Sequence, residues 1–151
     1  MAVIGLGTDI IEISRVARAM KNSRFARRVY TPDERAWLTV HNKPQNYAGL
    51  FAAKEAAIKA CGGHLLDYEI THTSDGKPQI SRTANATHSA GGSTAPHPDS
   101  RSASECSQTA NYPAVDTKKR DAVNASFNSE SLTVSISHCH TFAVAVVILS
   151  V

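Results

Sequence analysis

The 151-residue chain is poor in the residues that mark several specialised protein classes. It has three cysteines, one tryptophan and only 6% aromatic residues. Three cysteines form no paired disulfide framework, which suits a reducing compartment. No apolar run approaches the roughly 20 residues of a membrane helix, and no basic segment precedes an apolar stretch at the N-terminus. We therefore expect a cytoplasmic protein without a membrane partner, with an organelle such as the mitochondrion left open.

The overall composition indicates an ordinary globular protein. Hydrophobic residues make up 42% of the chain and charged residues 19%, and the formal net charge is +3. Such values are typical of globular domains, and the length predicts one domain. Because the net charge is small, the distribution of charged residues says more about partners than their total.

The hydrophobic pattern of the first half predicts helices and a buried strand. Residues 2–9 indicate a short strand, and apolar residues at helical spacing over residues 10–20 predict a helix that follows at once. Residues 31–34, Thr-Pro-Asp-Glu, predict a helix start with a threonine cap, proline in the first turn and a capping box. Residues 47–61 are rich in helix formers and end at two glycines.

The second half predicts four strands and one interruption. Strands are expected at about 68–72, 78–80, 132–136 and 142–149. Residues 83–131 are dominated by Ser, Thr, Asn, Ala and Pro and show no sustained period, so they bury too little apolar surface to offset their ordering entropy. The sequence thus predicts an α+β fold with an antiparallel sheet packed against helices. We expect a single domain over residues 1–151, with a flexible low-complexity insertion at about 83–131.

Two carboxylates occupy positions that need an explanation. Glu55 shares one face of its predicted helix with Phe51 and Ile58, and a carboxylate facing a core is costly unless it is paired or bound to a metal. Lys59 offers the structural alternative of an ordinary helix ion pair. Asp9 is the last residue of the first predicted strand, immediately before the predicted helix, where it could be a ligand or a helix cap.

The donor types restrict which metal these carboxylates could bind. Asp9 and Glu55 come from different elements, and the sequence has no cysteine–histidine spacing typical of zinc. Carboxylate oxygens favour a hard cation such as Mg²⁺, which usually bridges a few carboxylates and substrate phosphates. Lys59 would then be a point charge for those phosphates.

A basic segment indicates an anionic partner. Residues 13–32 contain six Lys and Arg residues and no acidic residue. A solvated surface is the plain alternative, but a cluster of one sign favours an acidic protein or a nucleic acid. Nucleic acid is disfavoured because the segment lacks interleaved exposed aromatic residues and no nucleic-acid-binding signature is present.

The turn around His138, Cys139 and His140 allows several roles. Three adjacent side chains do not readily converge on one zinc ion. A catalytic Cys–His pair lacks an evident Asp or Asn to orient the histidine. Contact between His138 and a phosphate or another substrate group is therefore favoured over catalysis by Cys139, and a plain turn histidine stays open.

Taken together, these segments resemble the holo-acyl-carrier-protein synthase branch of the 4′-phosphopantetheinyl transferase superfamily. The resemblance covers residues 1 to about 82 and about 132 to the end. The matching motifs are Gly5-Leu6-Gly7-Thr8-Asp9-Ile10, Phe51-Ala52-Ala53-Lys54-Glu55-Ala56, Lys59-Ala60, Gly76-Lys77-Pro78 and Val134-Ser135-Ile136-Ser137-His138.

The resemblance implies a fold and a reaction. The fold would be that of 4′-phosphopantetheinyl transferases, and the enzyme would move 4′-phosphopantetheine from coenzyme A to a serine of apo acyl carrier protein, releasing adenosine 3′,5′-bisphosphate. This activity would serve fatty acid biosynthesis. Asp9 and Glu55 would bind Mg²⁺, and Lys59 and His138 would lie near the coenzyme's phosphates. Either Glu55 or a metal-bound water would accept the serine proton.

The resemblance also implies partners. Arg15 and Arg24 would lie on the surface that docks the carrier protein, and the enzyme would be a homotrimer with active sites at subunit interfaces. Two alternatives remain. The chain could be a non-enzymatic basic module that binds an acidic protein or nucleic acid, which predicts no need for Glu55, or it could be an inactive member of the family.

Overall fold

The computed structural model describes residues 2–83 and 130–151. Most of the predicted insertion at 83–131 therefore lies outside the described residues. The strands are β1 (Val3–Glu12), β2 (Tyr68–His72), β3 (Pro78–Arg82), β4 (Ser131–His138) and β5 (Phe142–Ser150). The helices are α1 (Ile13–Ala19), α2 (Ser23–Val29), α3 (Pro32–Val40) and α4 (Pro44–Cys61), followed by a 3₁₀ helix at Leu65–Asp67.

The described strands form two antiparallel sheets. One sheet has the order β1-β5-β4, and the other pairs β2 with β3. The central strand β5 alternates along its length, with Ala143, Ala145, Val147 and Leu149 buried. Helix α4 packs against β1, β5 and β4. The predicted α+β architecture, an antiparallel sheet packed against helices, is confirmed.

Two glycines allow α4 to rest directly on β1. A Cβ on Gly5 would lie 2.4 Å from the carbonyl oxygen of Ala60, and a Cβ on Gly7 would lie 1.9 Å from that of Ala56. No side chain could fit at either position without moving the helix. The Gly-x-Gly sequence therefore serves close strand–helix packing, which is one of the uses of glycine inside a strand.

The first strand is longer than predicted, and this corrects the position of Asp9. Residues 10–12 continue the ladder with β5 as far as the pair Glu12–Phe142, and α1 begins only at Ile13. Pairing with β5 outweighs the local helical pattern, and β-branched residues such as Ile10 and Ile11 suit a strand. Asp9 thus lies inside β1 and is not a helix cap.

The predicted start of α3 is confirmed. Thr31 Oγ1 accepts a hydrogen bond from the Glu34 amide at 3.2 Å, and Glu34 Oε2 accepts one from the Thr31 amide at 2.8 Å. Helix α4 begins at Pro44, three residues before the predicted start, and its C-cap Gly62 has a φ of 79°. Positive φ is the conformation that glycine adopts readily at such an end.

The last strand departs from its prediction at one end. Phe142 was expected to open a buried strand, but 45% of its surface is exposed. It pairs with Glu12, and its side chain lies on the outer face of the three-stranded sheet, because side chains alternate along β5 and Ala143 is on the buried face. Within residues 2–83 and 130–151, no helix is both long enough and apolar enough to cross a bilayer.

Candidate active site

The alternation of β1 directs Asp9 toward α4. Gly5 and Gly7 contact α4, and side chains at every second strand position share a face, so Asp9 lies on that same face. Opposite it, Glu55 and Lys59 are one turn apart on α4. The strand and the helix thus bring two carboxylates and one ammonium group to a common place.

Lys59 bonds across to β1. Its Nζ lies 2.7 Å from Asp9 Oδ1 and 2.9 Å from the carbonyl oxygen of Thr8. The side chain of Asp9 is 16% exposed and that of Lys59 is 51% exposed. The simple helix pair between Glu55 and Lys59 is therefore incomplete as an explanation, because the ammonium group joins α4 to the strand at a site that opens to solvent.

The pKa of Glu55 depends on burial and on two charged neighbours. Burial raises the pKa of its carboxyl group, and the negative charge of Asp9 raises this pKa further. The positive charge of Lys59 acts in the opposite direction. Glu55 therefore interacts electrostatically with both Asp9 and Lys59. When both carboxyl groups are ionised, the cluster of two carboxylates and one ammonium group carries a net charge of −1.

The other three predicted site residues lie on other elements than this cluster. Arg15 and Arg24 are exposed on α1 and α2. His138 ends β4 and lines an open cavity of about 720 Å³ with residues of α1 and the start of α4. Within the part of the chain that the structure describes, no recorded hydrogen bond or ion pair joins His138 to Asp9, Glu55 or Lys59.

The structure also contains a buried ion pair that the sequence analysis did not single out. Lys54 Nζ lies 2.6 Å from Glu34 Oε2, and both side chains are 0% exposed. Burial raises the pKa of Glu34 and lowers that of Lys54, while their mutual attraction opposes both changes. One signal in the sequence could have indicated that this helix is buried on several sides. Lys54 is surrounded in the sequence by small residues, which are Ala52, Ala53, Ala56 and Ala57.

The metal-ligating side chains of the described residues form no large cluster. Residues 2–83 and 130–151 contain no group of three or more His, Cys, Asp and Glu side chains placed to hold a metal ion. Asp9 and Glu55 supply a pair of carboxylates from two elements, as the sequence predicts.

The sequence identifies the family. The family model described as the 4′-phosphopantetheinyl transferase superfamily matches residues 5–114. The holo-[acyl-carrier-protein] synthase of Alkaliphilus metalliredigens is 45% identical over 89 residues, which cover 54% of this chain and 73% of that protein. This chain belongs to the 4′-phosphopantetheinyl transferase superfamily.

Solved structures agree with this assignment. A holo-(acyl-carrier-protein) synthase from Bacillus anthracis, in complex with coenzyme A (3′,5′-ADP), matches with a TM-score of 0.64 and 25% identity, covering 99% of this chain and 97% of that one. The synthase from Helicobacter pylori, in complex with coenzyme A, matches with a TM-score of 0.62 and 27% identity over 96% of this chain and 99% of that one. The chain has the fold of holo-acyl-carrier-protein synthases.

Proposed function

We propose that this chain transfers 4′-phosphopantetheine from coenzyme A to a serine of apo acyl carrier protein. The observation that carries the proposal is the cluster of Asp9, Glu55 and Lys59 at the contact between β1 and α4. In the reaction, the serine oxygen forms a bond to the β-phosphorus of coenzyme A. The bond to the leaving adenosine 3′,5′-bisphosphate breaks, and the serine proton passes to Glu55 or to a water molecule of the site. Transfer to a carrier of fatty acid synthesis would place the enzyme in that pathway.

Lys59 is suited to bind the phosphates of coenzyme A. An ammonium group has three N–H donors, and two of them go to Thr8 and Asp9. Among the described residues no recorded hydrogen bond uses the third donor, and the side chain is 51% exposed, so it can meet a phosphate oxygen. Because its two protein contacts fix the ammonium group, its charge is already in place when negative charge shifts toward the leaving group. We assign His138 to a contact with another phosphate group of coenzyme A.

Asp9 and Glu55 fit a magnesium ion. Their carboxylates come from separate elements, and the charge of Asp9 raises the pKa of Glu55, so two hard oxygen donors repel each other within one site. Mg²⁺ prefers carboxylate and phosphate oxygens and relieves such repulsion. When bound, the ion would neutralise charge on the pyrophosphate of the substrate. The protein's own part is to hold both carboxylates in place through the contact between β1 and α4.

The basic segment provides a surface for the carrier protein. Arg15 on α1 and Arg24 on α2 are exposed. They belong to a set of basic residues, all of them exposed, that comprises Arg15, Arg18, Lys21, Arg24, Arg27 and Arg28. A surface of one sign speeds the encounter with a partner of opposite charge, which fits an acidic carrier protein.

The outer face of the three-stranded sheet supports assembly into a homotrimer. Leu6 and Ile10 on β1 are 64% and 65% exposed, on the face opposite α4. In the antiparallel register they stand beside Ile148 and Val144 of β5, so these four apolar side chains share one face. Contiguous exposed apolar patches of this kind mark interaction sites, and a second copy of the chain is the occupant we assign.

The experiment that tests the activity is mass spectrometry of an apo acyl carrier protein. The carrier is incubated with this chain, coenzyme A and Mg²⁺, and a gain of one phosphopantetheinyl group is expected. The Glu55→Gln variant and a sample with chelated metal are expected to show no gain. Asp75→Asn is the matched control, because Asp75 is an exposed carboxylate in the turn between β2 and β3.

A folded wild-type chain that modifies none of several carriers would contradict the proposal. Retained binding of coenzyme A would then indicate an inactive family member. Binding to an acidic protein or a nucleic acid without coenzyme A affinity, weakening as salt rises, would indicate a basic binding module.

A further inference from the structure

The ammonium group of Lys54 is fully used inside the protein. Beyond Glu34, its Nζ donates to the carbonyl oxygen of Val29 at 2.9 Å and to that of Leu65 at 3.1 Å. Three donors therefore meet three acceptors, and none is left for a substrate. Val29 ends α2 and Leu65 begins the 3₁₀ helix after α4, so one side chain of α4 ties down two other segments.

Glu34 extends these ties to two further elements. Its Oε2 accepts a hydrogen bond from the Thr31 amide, and its Oε1 accepts one from the Ile70 amide at 2.8 Å. The start of α3 and strand β2 are thereby joined to Lys54. The pair thus links four segments to the helix that carries Glu55 and Lys59.

Helix α2 depends on such ties for its position. It has only seven residues, Ser23–Val29, and a helix this short has little stability of its own. Its described contacts with α4 include the stacked rings of Phe25 and Phe51, 6.1 Å apart, and Val29 is buried in the same core cluster as residues of α4. Directly after α2, the Tyr30 hydroxyl donates to the Tyr47 carbonyl oxygen at 2.9 Å. The bond from Lys54 fixes the last turn.

The cost of burying this ion pair indicates that it orients neighbouring segments rather than stabilises the fold. Removing two charges from water is expensive, and replacing a buried pair by apolar residues is often neutral or stabilising. Stability alone therefore does not require Lys54 at this position. What an apolar side chain could not supply is three directional bonds that fix α2, the 3₁₀ helix and α3 relative to α4.

We propose that Lys54 is a positioning residue that fixes the arginine-bearing helix α2 relative to the site formed by Asp9, Glu55 and Lys59. A carrier protein docked on Arg24 would then present its serine at the correct place for transfer. This inference rests on the proposed function. It predicts that loss of the Lys54 bonds weakens productive use of the carrier and leaves the use of coenzyme A unchanged.

The test compares Michaelis constants for the two substrates in Lys54→Met and in the double variant Lys54→Met/Glu34→Gln. The double variant removes both charges, so it remains informative if the single variant unfolds because Glu34 is left unpaired. We expect the KM for the carrier to rise about tenfold or more, since small misplacements of a substrate are costly. We expect the KM for coenzyme A to change less than about twofold, because that site is intact. Arg24→Glu should give the same pattern by removing a docking contact.

Ile80→Ala is the control for a purely structural effect. Ile80 is 8% exposed in β3, so its truncation destabilises the core while every donor and acceptor of the Lys54–Glu34 bonds and every side chain of the site stays present. A smaller folded fraction lowers the apparent kcat and leaves both KM values unchanged. If the Lys54 variants behave as Ile80→Ala does, the proposal is wrong.

Hydrogen exchange supplies a readout that needs no activity. Backbone amides of residues 23–30 should exchange faster in the double variant than in Ile80→Ala, because opening of α2 becomes easier. If the wild type shows no transfer, the proposed function fails, while exchange still decides whether Lys54 holds α2. Unchanged exchange over residues 23–30 would overturn the positioning role whatever the activity.

Discussion

Gly7 lies so close to Ala56 that a methyl group on the glycine would meet the alanine carbonyl oxygen at 1.9 Å. Helix α4 therefore rests on the backbone of β1. Asp9 follows two residues later on the same face of the strand, and its carboxylate contacts Lys59 on that helix. The Gly7–Ala56 contact thus sets the distance between the strand and helix that carry the proposed active site.

Substitution Gly7→Ala should damage both stability and activity. The added methyl group meets backbone atoms of α4, which cannot move aside as a flexible side chain would. We expect a loss of about 3 kcal/mol or more in the free energy of unfolding, the upper range for overpacking. Urea unfolding measures this loss. Thr8→Ala, in the same strand but on the exposed face, should cost less than about 1 kcal/mol, and equal losses in both variants would contradict the packing argument.

Lys59→Gln should separate catalysis from stability. The ion pair with Asp9 involves a lysine side chain that is 51% exposed, and such pairs contribute at most about 1 kcal/mol. We expect an almost unchanged urea midpoint but a fall in kcat/KM of about 100-fold or more, the usual effect of removing a charge that stabilises a transition state.

The matched control for Lys59 is Lys77→Gln. Lys77 also forms an exposed ion pair, with Asp75 at 3.0 Å, but it lies in the turn between β2 and β3. We expect wild-type kinetics for this variant. A rate for Lys59→Gln within about threefold of the wild-type rate would exclude the phosphate-binding role.

The features that the sequence predicts correctly are those that local chemistry determines. Thr31, Pro32 and Glu34 specify the start of α3 because the cap, the fixed φ and the returning carboxylate act within one turn. Gly62 ends α4 and Gly76 forms a turn because both need positive φ. The motifs around Asp9 and Glu55 identify the family for the same reason, since each is a short continuous segment.

The features that the sequence misses depend on contacts between distant segments. Asp9 looked like a possible helix cap, but the ladder with β5 extends the strand to Glu12. The sequence does not predict the bonds of Lys54, because its acceptors Val29 and Leu65 lie 25 and 11 residues away. No periodic pattern reports such long-range bonds, so the acceptors of this ammonium group become visible only in three dimensions.

Leu6→Asp should weaken the proposed trimer. Leu6 is 64% exposed at the outer sheet face, and a carboxylate there would be buried without a partner on association. Sedimentation velocity is expected to show trimers of the wild-type chain and mostly monomers of the variant, each with an unchanged secondary-structure spectrum. Val40→Asp is the control, because Val40 is 79% exposed on α3, away from that face. A trimer that persists in Leu6→Asp would place the interface elsewhere.

His72 should make stability depend on pH through its contact with Trp37. The imidazole stacks on the indole with ring centroids 4.1 Å apart, and its Nδ1 is buried without a hydrogen-bond partner among the described residues. Burial lowers the pKa of His72 from its ordinary value of 6.5, and nearby His41 lowers it further. As the pH falls below 6.5, the unfolded chain therefore binds a proton before the folded protein does. By linkage, the free energy of unfolding then falls.

The measurement is urea unfolding between about pH 7.5 and about pH 5, the range over which histidine titrates. Trp37 is the only tryptophan of the chain, so its fluorescence reports on this contact directly. His72→Phe keeps an aromatic ring against the indole and removes the titrating group. We expect the variant to lose less stability than the wild type as the pH falls. Parallel losses would show that the acid sensitivity arises elsewhere, because only His72 differs between the two proteins.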